Sequence, residues 1–392
     1  MIPIRSCRPA ALLALLGGIA PGFMPAPLAA AEPLPATAMA APQSPIPVIA
    51  SLAVTDLERL LDTIADRRVV FVGEIHDRYE DHLSQLQVIE GLKRRGQDLA
   101  IGLECFRQPD QAALDAYLAG ESDEAELLRR TRYFERWGFD YRLYRPILRY
   151  ARDQRIPVIA LNLAVELTSR VGQVGIAGLN AAERAQLPEA IDRTDRVYET
   201  RLRAVFDQHP GQEQQAFERF LDVQLLWDEG MAERAARYLT EHPQRTLVIL
   251  AGVGHVEYGL GIPKRLGRRV PAPAAILVNG RGRDLDPAAA DYLLFPKPED
   301  LPAAGKLGVR LGERSEASGV PLLSVEAGGG ARAAGVRAGD RLVRIGDQPV
   351  ASPADVHIAL LDRSPGQRLP VVVQRRRPLG GEATLTFTVE LH

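Results

Sequence analysis

Four short segments of the chain carry acidic and imidazole side chains where they could act on a ligand. Gly73-Glu74-Ile75-His76 follows the apolar run Val69-Val70-Phe71-Val72, and Glu104 follows Leu99-Ala100-Ile101-Gly102-Leu103. Asn162 follows Val158-Ile159-Ala160-Leu161, and Gly252-Val253-Gly254-His255 follows Thr246-Leu247-Val248-Ile249-Leu250. Two carboxylates and two imidazoles brought to one place can hold a hard or borderline metal ion or perform acid–base work. Glu74, His76, Glu104 and His255 are therefore the expected metal donors. If the site is catalytic instead, Glu74 and His255 are the acid–base pair. His82, Asp228 and Glu229 fall on helical segments and could orient the histidines. The competing reading of each is structural, since an acidic residue after a strand can cap a turn and a lone histidine is often a satisfied donor. Cys105 is expected to pack rather than react.

What would bring these segments together is a parallel sheet. The runs at 69–72, 99–103, 158–161 and 246–250 are continuously apolar, as strands buried on both faces are. Helical periodicity separates them: Tyr79 to Arg95, Arg145 to Gln154, and a long stretch from Gln212 to Thr240. A further helix is expected over Val54 to Ala65 and a last strand over Ala274 to Val278. Strand, helix and strand within about 35 residues make a right-handed βαβ unit. The expected fold class is thus α/β, an open and mostly parallel sheet flanked by helices, with a helical insertion between Gln108 and Tyr144. In such a sheet the loops after the strand carboxyl ends share one rim, where ligands bind.

The ends of the chain read differently. Residues 1–31 have the make-up of a signal peptide: Arg5 and Arg8, an apolar stretch from Ala10 to Ala20, then Ala29-Ala30-Ala31. The Ala- and Pro-rich stretch that follows is expected to be a disordered linker over 32–50. Cys7 precedes the apolar stretch, so a lipid anchor is not expected, and the location expected is periplasmic or secreted. The near balance of 48 Lys+Arg against 50 Asp+Glu gives no field that favours nucleic acid. The α/β domain is expected over 51–295 and a Pro-containing linker over 296–305. Residues 306–392 resemble a PDZ domain, a small β-barrel-like fold, through Leu307-Gly308-Val309, the stretch Ala334 to Asp347, and Ser352-Pro353-Ala354-Asp355 opening a helix. That resemblance implies a C-terminal peptide added as a strand beside Leu307, Gly308, Val309 and Leu311.

The first domain also carries a recognisable set. Gly73-Glu74-Ile75-His76-Asp77 with His82 and Gln85, Leu103-Glu104, Trp137, Asn162, Asp228-Glu229-Gly230-Met231-Ala232 and Ala251-Gly252-Val253-Gly254-His255 resemble the ChaN-type haem-binding branch of the Tiki superfamily. The resemblance covers Leu57 to Leu294. It implies a haem cofactor and a role in haem or iron uptake. Other branches are metal-dependent hydrolases or peptidases, so a divalent metal and hydrolysis are the alternative. Haem needs an axial ligand, an apolar slot and cations for its propionates. The insertion holds Tyr133, Tyr141 and Tyr144 as candidate iron ligands, among Trp137, Phe139 and several arginines. The partners expected are haem or a metal, a C-terminal peptide at the PDZ domain and no nucleic acid, with a homodimer allowed.

Overall fold

The computed structural model describes residues 47–50, 53–208, 214–281, 286–313, 318–378 and 380–392, so the expected signal peptide and most of the linker lie outside the described residues. The chain opens with β1 (Pro47–Ala50) and β2 (Ala53–Asp56), then α1 (Leu57–Thr63), β3 (Val69–Glu74), α2 (Tyr79–Arg94) and β4 (Leu99–Arg107). The insertion contributes α3 (Gln111–Ala119), α4 (Glu124–Arg130), α5 (Tyr133–Arg136) and α6 (Tyr141–Asp153), which leads into β5 (Val158–Asn162). A second helical block, α7 (Val165–Val174), α8 (Ala181–Arg184) and α9 (Arg196–Phe206), precedes α10 (Gln214–Glu241). The domain closes with β6 (Thr246–Gly252), α11 (Ile262–Arg269), β7 (Ala274–Asn279) and β8 (Tyr292–Leu294).

The strand order is β2-β1-β8-β7-β3-β6-β4-β5. The six strands from β8 to β5 run parallel, and β1 joins their edge antiparallel to β8. Because strand side chains alternate between faces, neighbours in one apolar run enter different cores. Val70 and Val72 pack with the insertion and α2, whereas Val69 and Phe71 pack with α10 and α11. This is why β3, β4, β5 and β6 are buried at every position. Two local expectations shift. Pro47–Ala50, expected within the disordered linker, form β1. The helix expected from Val54 starts at Leu57, because Asp56 accepts the Arg59 N–H as an N-cap and leaves Ala53–Asp56 free to pair as β2.

The PDZ domain contains β9 (Val309–Leu311), β10 (Val320–Val325), α12 (Gly330–Ala334), β11 (Arg341–Ile345), β12 (Gln348–Pro349), α13 (Pro353–Leu360), β13 (Arg368–Arg376) and β14 (Glu382–Glu390). Its antiparallel sheet runs β14-β13-β11-β10-β9, so β9 is an edge strand. Gly308 turns the chain into that edge at φ +72°, a left-handed conformation that suits glycine. Ser352 and Asp355 form a capping box at the start of α13. The outer face of this helix docks on the insertion. Arg129 Nε donates to Asp355 at 2.8 Å, His357 stacks on Phe134 with ring centres 4.8 Å apart, and Ile358 and Leu361 pack against the first domain's core. Arg145 bridges Glu124 and Asp362, joining the insertion to the residue just beyond α13.

This docking is testable. Arg129 is partly exposed, so a double-mutant cycle over Arg129→Ala and Asp355→Ala should give a coupling energy of roughly 0.5–1 kcal/mol in urea unfolding. A coupling of zero would mean the PDZ domain does not rest on the insertion in solution.

Candidate functional site

The parallel register carries three segments to one rim. Glu74 ends β3 opposite Gly252 of β6, and Leu103 of β4 pairs with Leu250, which sets Glu104 beside the same loop. Glu74 is buried, accepts three hydrogen bonds and has a further imidazole beside it. His76 Nδ1–H donates to Oε1 at 2.9 Å, Tyr144 OH donates to the same oxygen, Gln85 Nε2 donates to Oε2 at 2.7 Å, and His82 Nδ1 lies 3.2 Å from Oε2. Burial alone would raise the Glu74 pKa, but the charge of His82 and the hydrogen bond from His76 outweigh it and hold the carboxyl at about 2. His82 also donates from Nε2 to the His76 carbonyl, 3.1 Å away, which fixes the turn that presents His76.

The His76 ring sits between Trp137 and Phe139, with centroids 4.9 Å from each, and its side chain keeps 19% of its surface exposed. Burial disfavours its charged form, yet the Glu74 hydrogen bond and the charges of Glu104 and Glu74 raise its pKa above the usual value. Gly252 is required here by close approach. A Cβ at this position would lie 2.8 Å from His76 Cε1 and 2.9 Å from Nε2.

A second carboxylate–imidazole pair faces the first. His255 Nδ1–H donates to Asp228 Oδ1 at 2.7 Å, and Asp228 Oδ2 accepts from Tyr198 OH at 2.5 Å. His255 Nε2 lies 3.4 Å from Glu104 Oε1, while Glu104 Oε2 accepts the Gly252 N–H at 2.7 Å. Burial works against the imidazolium, but Glu104 and Asp228 together raise the His255 pKa to about 9. His255 is therefore a proton donor at neutral pH, held in orientation by Asp228 and aimed at Glu104.

The structure sorts the residues expected from the sequence. Glu74, His76, Glu104 and His255 do converge, with His76 hydrogen-bonded to Glu74, and with His255 hydrogen-bonded to Asp228 and 3.4 Å from Glu104. Among the described residues no group of three or more His, Cys, Asp or Glu side chains is arranged to hold a metal ion. Nδ1 of each imidazole is turned into a carboxylate, which orients the ring and leaves Nε2 as its other nitrogen. Asp228 orients His255, whereas its neighbour Glu229 pairs with Arg268, Arg269 and Arg265 and serves packing. Asn162 accepts the N–H of Leu163 and shapes its own turn. Cys105 is free and buried, and burial pushes its thiol pKa well up. Tyr133, Tyr141 and Tyr144 are all buried; the hydroxyl of Tyr141 faces Glu124 and that of Tyr144 faces Glu74. The hydroxyl of Tyr133 is buried without a hydrogen-bond partner.

Two contributors were not among the site residues expected from the sequence: Tyr198, which holds Asp228 from a helix 30 residues away, and Arg107. Neither lies in a motif. Tyr144 was expected as a candidate iron ligand, and the periodicity of α6 shows that it faces inward but not that it meets Glu74.

Comparison with known proteins now adds the family. The profile described as haem-binding uptake, Tiki superfamily, ChaN matches residues 60–266, and a PDZ-domain profile matches residues 305–391. The chain belongs to the ChaN family. The solved structure described as cofacial haem binding to ChaN of Campylobacter jejuni aligns with a TM-score of 0.53 and 17% identity, covering 65% of this chain and 100% of that one. At that identity the likeness is one of fold. Protein RETICULATA-RELATED 5, chloroplastic, of Arabidopsis thaliana is 24% identical over 245 residues, which is 57% of this chain and 32% of that protein, so the match spans about a third of this relative. The HtrA3 PDZ domain bound to a phage-derived ligand aligns at 20% identity and a TM-score of 0.19, over 22% of this chain and 86% of that one. No helix among the described residues is long and apolar enough to cross a membrane.

The coupling of His255 to its two carboxylates can be measured in this ChaN-family domain. A His255 NMR titration should give a pKa of about 9. Glu104→Gln and Asp228→Asn should each lower it, by roughly a unit or more. The folded-state value lies above the unfolded one, so the pair's contribution to stability is complete below about pH 6.5 and is lost as pH rises towards 9. An unshifted titration in Glu104→Gln would show that the 3.4 Å approach is not made.

Proposed function

We propose that the protein is an exported haem carrier tied to iron acquisition, with haem bound at the rim of the sheet beside His76 and a partner recruited through the PDZ domain. The observation that carries the reading is the setting of His76: a partly exposed imidazole walled by Trp137 and Phe139, with Nδ1–H committed to Glu74. Committing Nδ1–H to a carboxylate leaves the lone pair on Nε2 and makes the ring a stronger ligand. The two aromatic walls supply apolar surface of the kind a porphyrin face packs on. His76 would hold the iron of bound haem through Nε2. Family membership over residues 60–266 supports haem as the cofactor. The make-up of residues 1–31 supports export.

Haemin titrated into the full chain should give a saturable Soret shift that His76→Ala weakens at least tenfold, about 1.4 kcal/mol, while Tyr144→Phe leaves it nearly intact. Binding should strengthen as pH rises, because iron must displace the proton that Glu74 and Glu104 favour on His76. Loss of the shift in Tyr144→Phe with retention in His76→Ala would make tyrosine the ligand and require the insertion to open. No shift in any form would end the haem reading.

At the PDZ domain, β9 offers an unpaired edge and Leu307-Gly308-Val309 a turn rich in backbone N–H groups. Peptides selected for binding there should lose affinity about tenfold or more when their C-terminus is amidated. Indifference to amidation would place the peptide elsewhere.

A second reading is favoured by the Asp228–His255 pair, which is built as a charged acid beside Glu104 and suits proton donation in hydrolysis. Glu104→Gln or His255→Asn abolishing an ester or peptide hydrolase activity would support it. Retention of that activity in both would remove this site as its source.

A further inference from the structure

Arg107 ends β4, three residues beyond Glu104, and is only 4% exposed. Its Nη2 donates to the carbonyl of Arg136 at 3.0 Å, but Nε and Nη1 are buried with no hydrogen-bond acceptor. A guanidinium carries five N–H groups, one on Nε and two on each Nη, so three of them point at nothing. Leaving donors of a buried cation unmatched is costly, and each such group in a folded protein calls for an explanation. The neighbouring carboxylates do not supply one. Asp110 is engaged by Arg136 at 3.0 Å, and Glu104 accepts from Gly252.

The position of the guanidinium ties it to the site. It lies 5.7 Å from the centre of the Trp137 ring, whose other neighbours include His76 at 4.9 Å. Two further donors, Trp137 Nε1 and Arg136 Nε, are also buried without acceptors. Unspent N–H groups on these three residues, two of them cations, are what an anion would satisfy.

We propose that Arg107 receives a carboxylate of the ligand bound beside His76, with Trp137 Nε1 as a second donor. The inference rests on the reading of that rim as a ligand site and deepens it, since it names the group on the ligand that is recognised. For haem the carboxylate is a propionate; for an acyl substrate it would be a free acid group. Arginine suits the task because its planar fork matches a carboxylate and stays charged when buried.

The test compares haemin with haemin dimethyl ester, which has the same ring and iron but no free carboxylate, on the full chain and its Arg107→Met and Arg107→Lys variants. Far-UV circular dichroism and thermal melting check that each variant folds. Haemin should bind the parent chain about 10- to 100-fold more tightly than the ester, the range expected for hydrogen bonds to a charged group. Arg107→Met should erase that preference by weakening haemin alone, and Arg107→Lys should restore part of it. Equal weakening of both ligands would make Arg107 a packing residue, and no change in either would overturn the proposal outright. If the parent chain takes up neither porphyrin, the haem reading fails but the proposal is still decided. Propionate titrated alone should then shift the Arg107 Nε–H resonance saturably, and the absence of that shift overturns it.

Discussion

A buried carboxylate at the end of β3 governs the architecture around it. Glu74 cannot be taken from water as an anion unless several donors replace the water. The three that do so come from different parts of the chain, His76 from the following turn, Gln85 from α2 and Tyr144 from α6 of the insertion, and the His82 ring of α2 lies 3.2 Å from the same carboxylate. Satisfying one charge therefore fixes the turn, the next helix and the roof above the sheet relative to one another. The cost of burial becomes the means of positioning His76.

The same logic operates a few ångströms away with a different outcome. Asp228 and Glu229 are consecutive on α10 and both fully buried, yet they face different partners, because successive helical side chains diverge by about 100°. Asp228 meets Tyr198 and His255 and becomes part of the rim. Glu229 meets three arginines of α11 and ties that helix down. One carboxylate orients an imidazole and the other closes the core.

Helix α6 is where the two domains touch the site. Tyr144 reaches inward to Glu74, and the next residue, Arg145, reaches outward to Glu124 and to Asp362 of the PDZ domain. The helix that forms part of the PDZ core, α13, thus rests on the same insertion that roofs His76. Packed elements joined in this way share their displacements, since protein interiors are close-packed rather than fluid.

Much of this was legible in the sequence because it follows from local chemistry. Four apolar runs of strand length alternating with helical periods specify parallel βαβ units, and the handedness of those units brings Glu74, Glu104 and His255 to one rim. The PDZ domain and its capped helix were readable for the same reason, as turns and caps depend on neighbouring residues. What the sequence could not decide is how polar groups distant in the chain pair with one another. That His76 bonds to Glu74 and His255 to Asp228, that Tyr144 points at Glu74, that Tyr198 supports Asp228 from 30 residues away, and that Arg107 is left with unspent donors are all set by packing. Periodicity reports which face of an element is buried. It carries no information about which atom waits on the other side, and hydrogen bonds form or fail over a few tenths of an ångström.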